Sequence, residues 1–153
     1  CRRHRGRARR FVSVILVDTS ACVEFDRGTD SPADLRLQHL IASGADIAVS
    51  EPILMEVLAG ARNDVERVRL RRMMTSFSWI PADAQNDFEA AARVYAACRA
   101  AGCTPRGLVD CLIATIAIRT GASLLTADTD FARMADVLPL RLDRHDDWQD
   151  GHQ

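Results

Sequence analysis

Close to its N-terminal end the chain carries a short run rich in β-branched residues, Val12 to Val17 (VSVILV), followed at once by Asp18-Thr19-Ser20. Such a run reads as a strand buried on both faces rather than a half-exposed one. A strand of that kind needs a layer of structure on each side. The trailing Asp-Thr-Ser is a helix N-cap cluster, and a short first helix is expected over Ala21–Asp26. The alternation then repeats. Ser31-Pro32 opens a helix to about Ser43, Asp46–Val49 is a second short strand, and Ser50-Glu51-Pro52 starts a helix over Ile53–Ala59, with proline tolerated in its first turn. Arg62–Met74 is an arginine-rich helix, and Phe77–Ile80 is a candidate strand. Ala84–Ala101 and Leu108–Thr120 are helices closed by Gly102 and Gly121. Ser123–Leu125 is a strand, Asp130–Ala135 a helical turn, and Leu138–Leu142 a last strand. Short strands separated by helices predict a three-layer α/β/α fold around a mostly parallel sheet.

A chain of 153 residues is the size of one domain. No apolar run approaches the length of a bilayer crossing, and no membrane association is expected. The net charge of −1 hides an asymmetry: all 20 basic residues are arginine, and six fall in the first ten positions. Residues 11–153 carry 14 arginines against 21 acids, a net of −7. Residues 1–11 are expected to be a disordered, dispensable basic arm, residues 12–145 the folded domain, and 146–153 a C-terminal tail. The arm has none of the apolar stretch of a secretory signal. The five cysteines form no C-x-x-C pair and have no His at ligand spacing, so they read as free thiols in a reducing, cytoplasmic setting.

In open parallel sheets functional groups gather at the carboxyl ends of the strands. Asp18 directly follows the first strand, while Asp128 and Asp130 follow the Ser123–Leu125 strand. Asp110 lies in the first turn of the Leu108 helix, where the helix dipole favours its charge by roughly 0.3–1 kcal/mol. Glu56 sits among Ile53, Leu54, Met55, Val57 and Leu58, and its neighbours one turn away cannot neutralise it. A carboxylate placed against apolar surface is normally paired or bound to a metal. Singly, each acid has an ordinary explanation: Asp18 as a cap, Asp110 as a dipole partner, Asp128 and Asp130 as turn residues. Convergence on one sheet edge is what argues for chemistry. Two like charges about 4 Å apart repel by about 4 kcal/mol at an effective dielectric of 20, so a cluster must take up protons or a cation. An all-oxygen donor set without His or Cys selects Mg2+ or Mn2+. Such ions serve phosphodiester hydrolysis.

These segments, Ile15-Leu16-Val17-Asp18-Thr19-Ser20, Glu56 after Ser50-Glu51-Pro52, Asp110 in LVDCLIATIA, and Leu125-Thr126-Ala127-Asp128-Thr129-Asp130-Phe131, resemble the PIN-domain family. More narrowly they resemble the VapC toxins of bacterial toxin-antitoxin systems. The resemblance runs from about Val14 to Leu142, with the successive acids Asp18, Glu56, Asp110 and Asp128 at intervals of 38, 54 and 18 residues. It implies a Mg2+- or Mn2+-dependent endoribonuclease that cuts transfer or ribosomal RNA and stops translation. On that resemblance Asp18, Asp110 and Asp128 match metal ligands, and Glu56 matches the acid that orients water or a second ion. Asp130 matches a further acid, and Thr19, Ser20 and Thr126 match small polar supports. It also implies a VapB-type antitoxin that covers the acids, a homodimer, and a heterotetramer or larger assembly with the antitoxin. Antitoxin and dimer contacts are expected on the helices over 31–43 and 62–74.

Arginines at the rim must help an acidic site attract RNA, and Arg27, Arg106 and Arg133 are the candidates near it. Other readings stay open to differing degrees. A receiver domain would want a Lys near its acids, and the chain has none. A haloacid-dehalogenase-type phosphatase needs Asp-x-Asp after its first strand, where this chain has Asp-Thr-Ser. A non-catalytic PIN-like module that binds RNA or protein is opposed only by the full set of acids.

Overall fold

The computed structural model describes residues 13–144, so the arm expected over 1–11 and the tail over 146–153 lie outside the described residues. The elements in chain order are β1 (Ile15–Val17), α1 (Thr19–Arg27), α2 (Pro32–Ala42), β2 (Ile47–Val49), α3 (Glu51–Ala59), α4 (Asp64–Thr75), β3 (Ser78–Trp79), α5 (Asp87–Ala100), α6 (Leu108–Thr120), β4 (Ser123–Leu125) and α7 (Thr129–Ala135). The four strands form one sheet in the order β3-β2-β1-β4, with every pairing parallel. Leu16 at the centre of β1 stands opposite Ala48 of β2 and Leu124 of β4. This is the three-layer α/β/α arrangement expected from the alternation.

Ile15, Leu16 and Val17 are all buried. Successive strand side chains point to opposite faces, so burial of all three means that the sheet is covered on both sides. α6 is buried through seven consecutive residues, Cys111 to Ala117, the mark of a helix surrounded by protein rather than lying on a surface. α5 packs along it. Among the described residues the cysteines are unbridged, with Cys22, Cys98 and Cys111 buried and Cys103 partly so. Burial pushes the Cys111 thiol up to about 11, which keeps it protonated and inert.

Local chemistry shifts several boundaries. Asp18 caps α1, so that helix begins at Thr19 rather than Ala21. Asn63 accepts from the Glu66 amide and starts α4 at Asp64. The Asp83 carboxylate takes the amides of Gln85 and Asn86, and that turn delays α5 until Asp87. The expected last strand over 138–142 is corrected to a single bridge, Leu142 opposite Leu124. Pro139 has no N–H to give a ladder, and the amides of Val137 and Leu138 already bond back to the Met134 carbonyl at the end of α7. Among the described residues, no helix is long and apolar enough to cross a membrane.

An ion pair whose acid is buried ties α5 to α6. Asp87 is 1% exposed and receives both Nε (2.8 Å) and Nη2 (2.9 Å) of Arg119, whose Nη2 also reaches the Pro81 carbonyl at 2.9 Å. Arg119 itself is 37% exposed, and the Asp83 amide also donates to Asp87, at 2.7 Å. Removing Arg119 leaves the buried carboxylate with that amide and loses two charge-assisted bonds. Arg119→Ala is therefore expected to destabilise the protein by about 1–3 kcal/mol, read as a lowered urea midpoint with unchanged slope.

Candidate functional site

Because β1 and β4 run parallel and in register, they end at the same edge of the sheet. The Asp18 amide continues the ladder by donating to the Leu125 carbonyl at 2.9 Å, which sets Asp18 beside Thr126. Asp18 is 3% exposed. Its Oδ2 accepts from the Ser20 hydroxyl at 2.7 Å and from the Thr126 hydroxyl at 2.9 Å. Those hydroxyls are themselves aimed by backbone: the Ala127 amide donates to Ser20 Oγ at 2.9 Å, and the Asp128 amide to Thr126 Oγ1 at 3.0 Å. Each relay polarises the hydroxyl that holds the carboxylate. Both hydroxyls act on Oδ2, and Oδ1 carries neither.

Glu56 comes to the same edge on α3, the helix that follows β2. Its partner is not on its own helix but across the sheet end, where the Thr19 hydroxyl donates to Oε1 at 2.9 Å. Asp110 occupies the first turn of α6, whose N-cap is Gly107 and offers no side-chain cap. Asp128 caps α7 and accepts from the Asp130 amide at 2.9 Å.

Burial is the main force raising the proton affinity of Asp18, Glu56 and Asp110, and repulsion by neighbouring acids adds to it for the last two. Burial lifts Asp18 above the ordinary carboxylate range, with the Ser20 and Thr126 bonds opposing the rise. Glu56 is raised first by burial and then by the charge of Asp18, with Thr19 pulling the other way. Asp110 is pushed up to about 6, first by burial and then by Asp18, Glu56, Asp128 and Asp130. Acids from α3, α6, the β1 end and the β4 end thus share one electrostatic neighbourhood.

The three candidate arginines are placed differently. Arg106, on the irregular segment before α6, donates from Nε to Asp130 at 2.6 Å and from Nη2 to Asp128 at 3.3 Å. Arg133 lies 3.6 Å from Asp130 on the outer side of α7 and is 70% exposed. Arg27 is the last residue of α1, about 13 Å of helix rise away from Asp18. There it borders a depression with Arg62, Glu66 and Arg69 rather than the acids. Beside Asp128 and Thr126 opens a cavity of about 440 Å3, walled by Pro32, Ala132, Leu142 and Arg36. Arg36 pairs with Asp143 through two bonds, of 2.8 and 2.9 Å. This wall has no signal in the sequence, since the two residues are 107 positions apart.

Oxygen donors alone make up the acid cluster, which suits a hard divalent cation. Among the described residues, however, no group of three or more His, Cys, Asp or Glu side chains is arranged to hold a metal ion. Mg2+ commonly binds through one or two carboxylates and keeps several waters, rather than sitting in an all-protein cage. The donor set fits that mode, with Asp18, Asp110 and Asp128 as the oxygens available.

Asp110 binds its proton more tightly in the folded chain than its ordinary value of 3.8 allows. Between about pH 4 and 6 Asp110 therefore holds more of its proton in the folded state than in the unfolded one, and its contribution to stability falls as pH rises through that window. In EDTA at about pH 7.5, Asp110→Asn is expected to melt above the parent chain, by about 2–4 °C for each kcal/mol of repulsion relieved. The gain should shrink towards pH 4, as followed by circular dichroism melts.

A PIN domain family model matches residues 15–137. Ribonuclease VapC11 of Mycobacterium tuberculosis is 43% identical over 129 residues, covering 84% of this chain and 96% of that protein. Ribonuclease VapC19 of the same species is 34% identical, covering 81% of this chain and 97% of its own length. Among solved structures, VapBC2 from Rickettsia felis, bound to a DNA fragment from its promoter, matches with a TM-score of 0.68 at 22% identity. That match covers 85% of this chain and 97% of the other. With acids from four elements gathered at one edge of a parallel sheet, and these relatives spanning nearly its whole described length, the chain belongs to the PIN-domain family, among the VapC ribonucleases.

Proposed function

We propose that this protein is a Mg2+- or Mn2+-dependent endoribonuclease, the toxin of a VapBC-type pair, which cuts transfer or ribosomal RNA in the cytoplasm and so inhibits translation. The observation that carries this reading is the convergence of Asp18, Glu56, Asp110 and Asp128 from four parts of the fold on one edge of the parallel sheet, where burial and their mutual repulsion push Asp110 up to about 6. Gathering like charges in this way costs stability unless a cation joins them.

In this reading Asp18, Asp110 and Asp128 hold the ion. A bound Mg2+ or Mn2+ would polarise a phosphoryl oxygen and acidify a water. The chain's own groups do the positioning. Ser20 and Thr126 fix the Asp18 carboxylate so that it cannot rotate when a substrate phosphate arrives. Thr19 holds Oε1 of Glu56, and a carboxylate of raised proton affinity suits a group that accepts a proton from an attacking water. Arg133, 70% exposed on α7 and only 3.6 Å from Asp130, would turn to an RNA phosphate in this reading.

A VapB-type antitoxin is proposed to cover the acids in a heterotetramer or larger assembly built on a toxin homodimer. Exposed apolar side chains on the two helices where such contacts are expected support this: Leu35 and Ile41 on α2, and Val65 and Val68 on α4.

Purified protein is expected to cleave total cellular RNA at defined positions when Mg2+ or Mn2+ is added, and to stop in EDTA. Asp18→Asn should lower the cleavage rate by at least about 100-fold while keeping the fold, measured by mapping new 5′ ends. Full-rate cleavage by Asp18→Asn, or cleavage that persists in EDTA, would refute the metal-site reading.

A further inference from the structure

The position of Arg106 differs from that of a rim arginine waiting for RNA. Its guanidinium spans two carboxylates, with Nε on Asp130 at 2.6 Å and Nη2 on Asp128 at 3.3 Å. The two acids lie at the start of α7, which is fixed to the sheet edge through the Thr126 relay. Arg106 itself is 71% exposed and lies on a segment without regular structure, next to Gly107, where an added Cβ would meet nothing within 4 Å. A rigid pair of acids is thus bridged by a tethered cation with room to move. Asp128 is also one of the three carboxylates available to an ion, and among the described residues no three acids are gathered to hold one in this arrangement.

We propose that Arg106 is a resident counter-ion that competes with the divalent cation for Asp128, so that metal loading displaces its side chain from the acids. The proposal rests on the metal-dependent reading of the site given above. The physical basis is simple. A monovalent guanidinium that is itself mostly in water holds these two partly buried acids, 22% and 14% exposed, only modestly. A divalent ion brings twice the charge to a shorter distance, so it wins the exchange, but every ion bound must first offset the contact with Arg106. Arg106 is then a positioning residue that sets the metal concentration at which the site fills.

Calorimetric titration of Mn2+ into the metal-free full chain, compared with Arg106→Gln and Arg106→Lys, tests this. Arg106→Gln should bind Mn2+ about 3–10-fold more tightly than the parent. Arg106→Lys keeps the charge but loses the fork that spans both acids, so its affinity should fall between those of the parent and Arg106→Gln. In parallel, the Arg106 Nε–H resonance, held by Asp130 in the metal-free chain, should move to the position of a solvated arginine during a Mg2+ titration. A merely structural role would move neither the affinity nor that signal. If the parent binds Mn2+ and Arg106→Gln, folded by circular dichroism, binds it equally or more weakly, the competition is overturned while the metal site stands. If the parent binds no Mn2+ at all, the metal reading falls and the competition falls with it.

Discussion

The burial of one carboxylate organises this molecule. Asp18 stands 3% exposed at the end of the central strand, where an ionised group would be intolerable without partners. Its two hydroxyl donors come from Ser20, on the helix it caps, and from Thr126, which follows β4. Asp18 is therefore acceptable only when β1 and β4 pair in the observed register. Slipping that register by one residue would turn the side chains of β1 to the opposite faces and take Thr126 away from Asp18. The parallel ladder and the polar relay enforce each other.

Around that point the site divides into a stiff part and a loose part. Three of its acids sit at element ends, with Asp18 and Asp128 capping α1 and α7 and Asp110 in the first turn of the buried helix α6, while Glu56 rides within α3. Such positions are fixed by the packing of whole helices. The nearby arginines occupy an irregular segment and an outer helix face, with Arg106 71% and Arg133 70% exposed. Negative charge is thus held in place while these two exposed arginines have room to rearrange. That division suits a centre whose cation and polyanion must both come and go.

The acids were legible in the sequence because each follows a punctuation mark that physics imposes. A doubly buried strand ending in Asp-Thr-Ser announces a cap, and an apolar helix interrupted by Glu56 announces an unexplained charge. The Thr19 partner of Glu56 was less so, since it depends on how α1 and α3 approach across the sheet end. Arg27 looked close to the site by sequence, yet nine residues of α1 carry it to the far end of that helix. The Arg36–Asp143 wall spans 107 positions and left no local trace. The apolar segment after α7 passed for a strand until Pro139 and the amide bonds back to Met134 removed its donors.

The order of synthesis gives the sheet a further property. β1 leaves the ribosome first, yet it lies between β2 and β4, and Leu16 meets Leu124 across 108 residues of chain. Until β4 has been made, the first strand has one open edge and Asp18 lacks the Thr126 hydroxyl. Pairings so distant along the chain form late, because loop closure must precede any gain from the contact. Residues that a nuclease would need are thus split between the first and the last strand of the sheet. The arrival of β4 therefore acts as a timer, and the centre comes together only once that strand has been made.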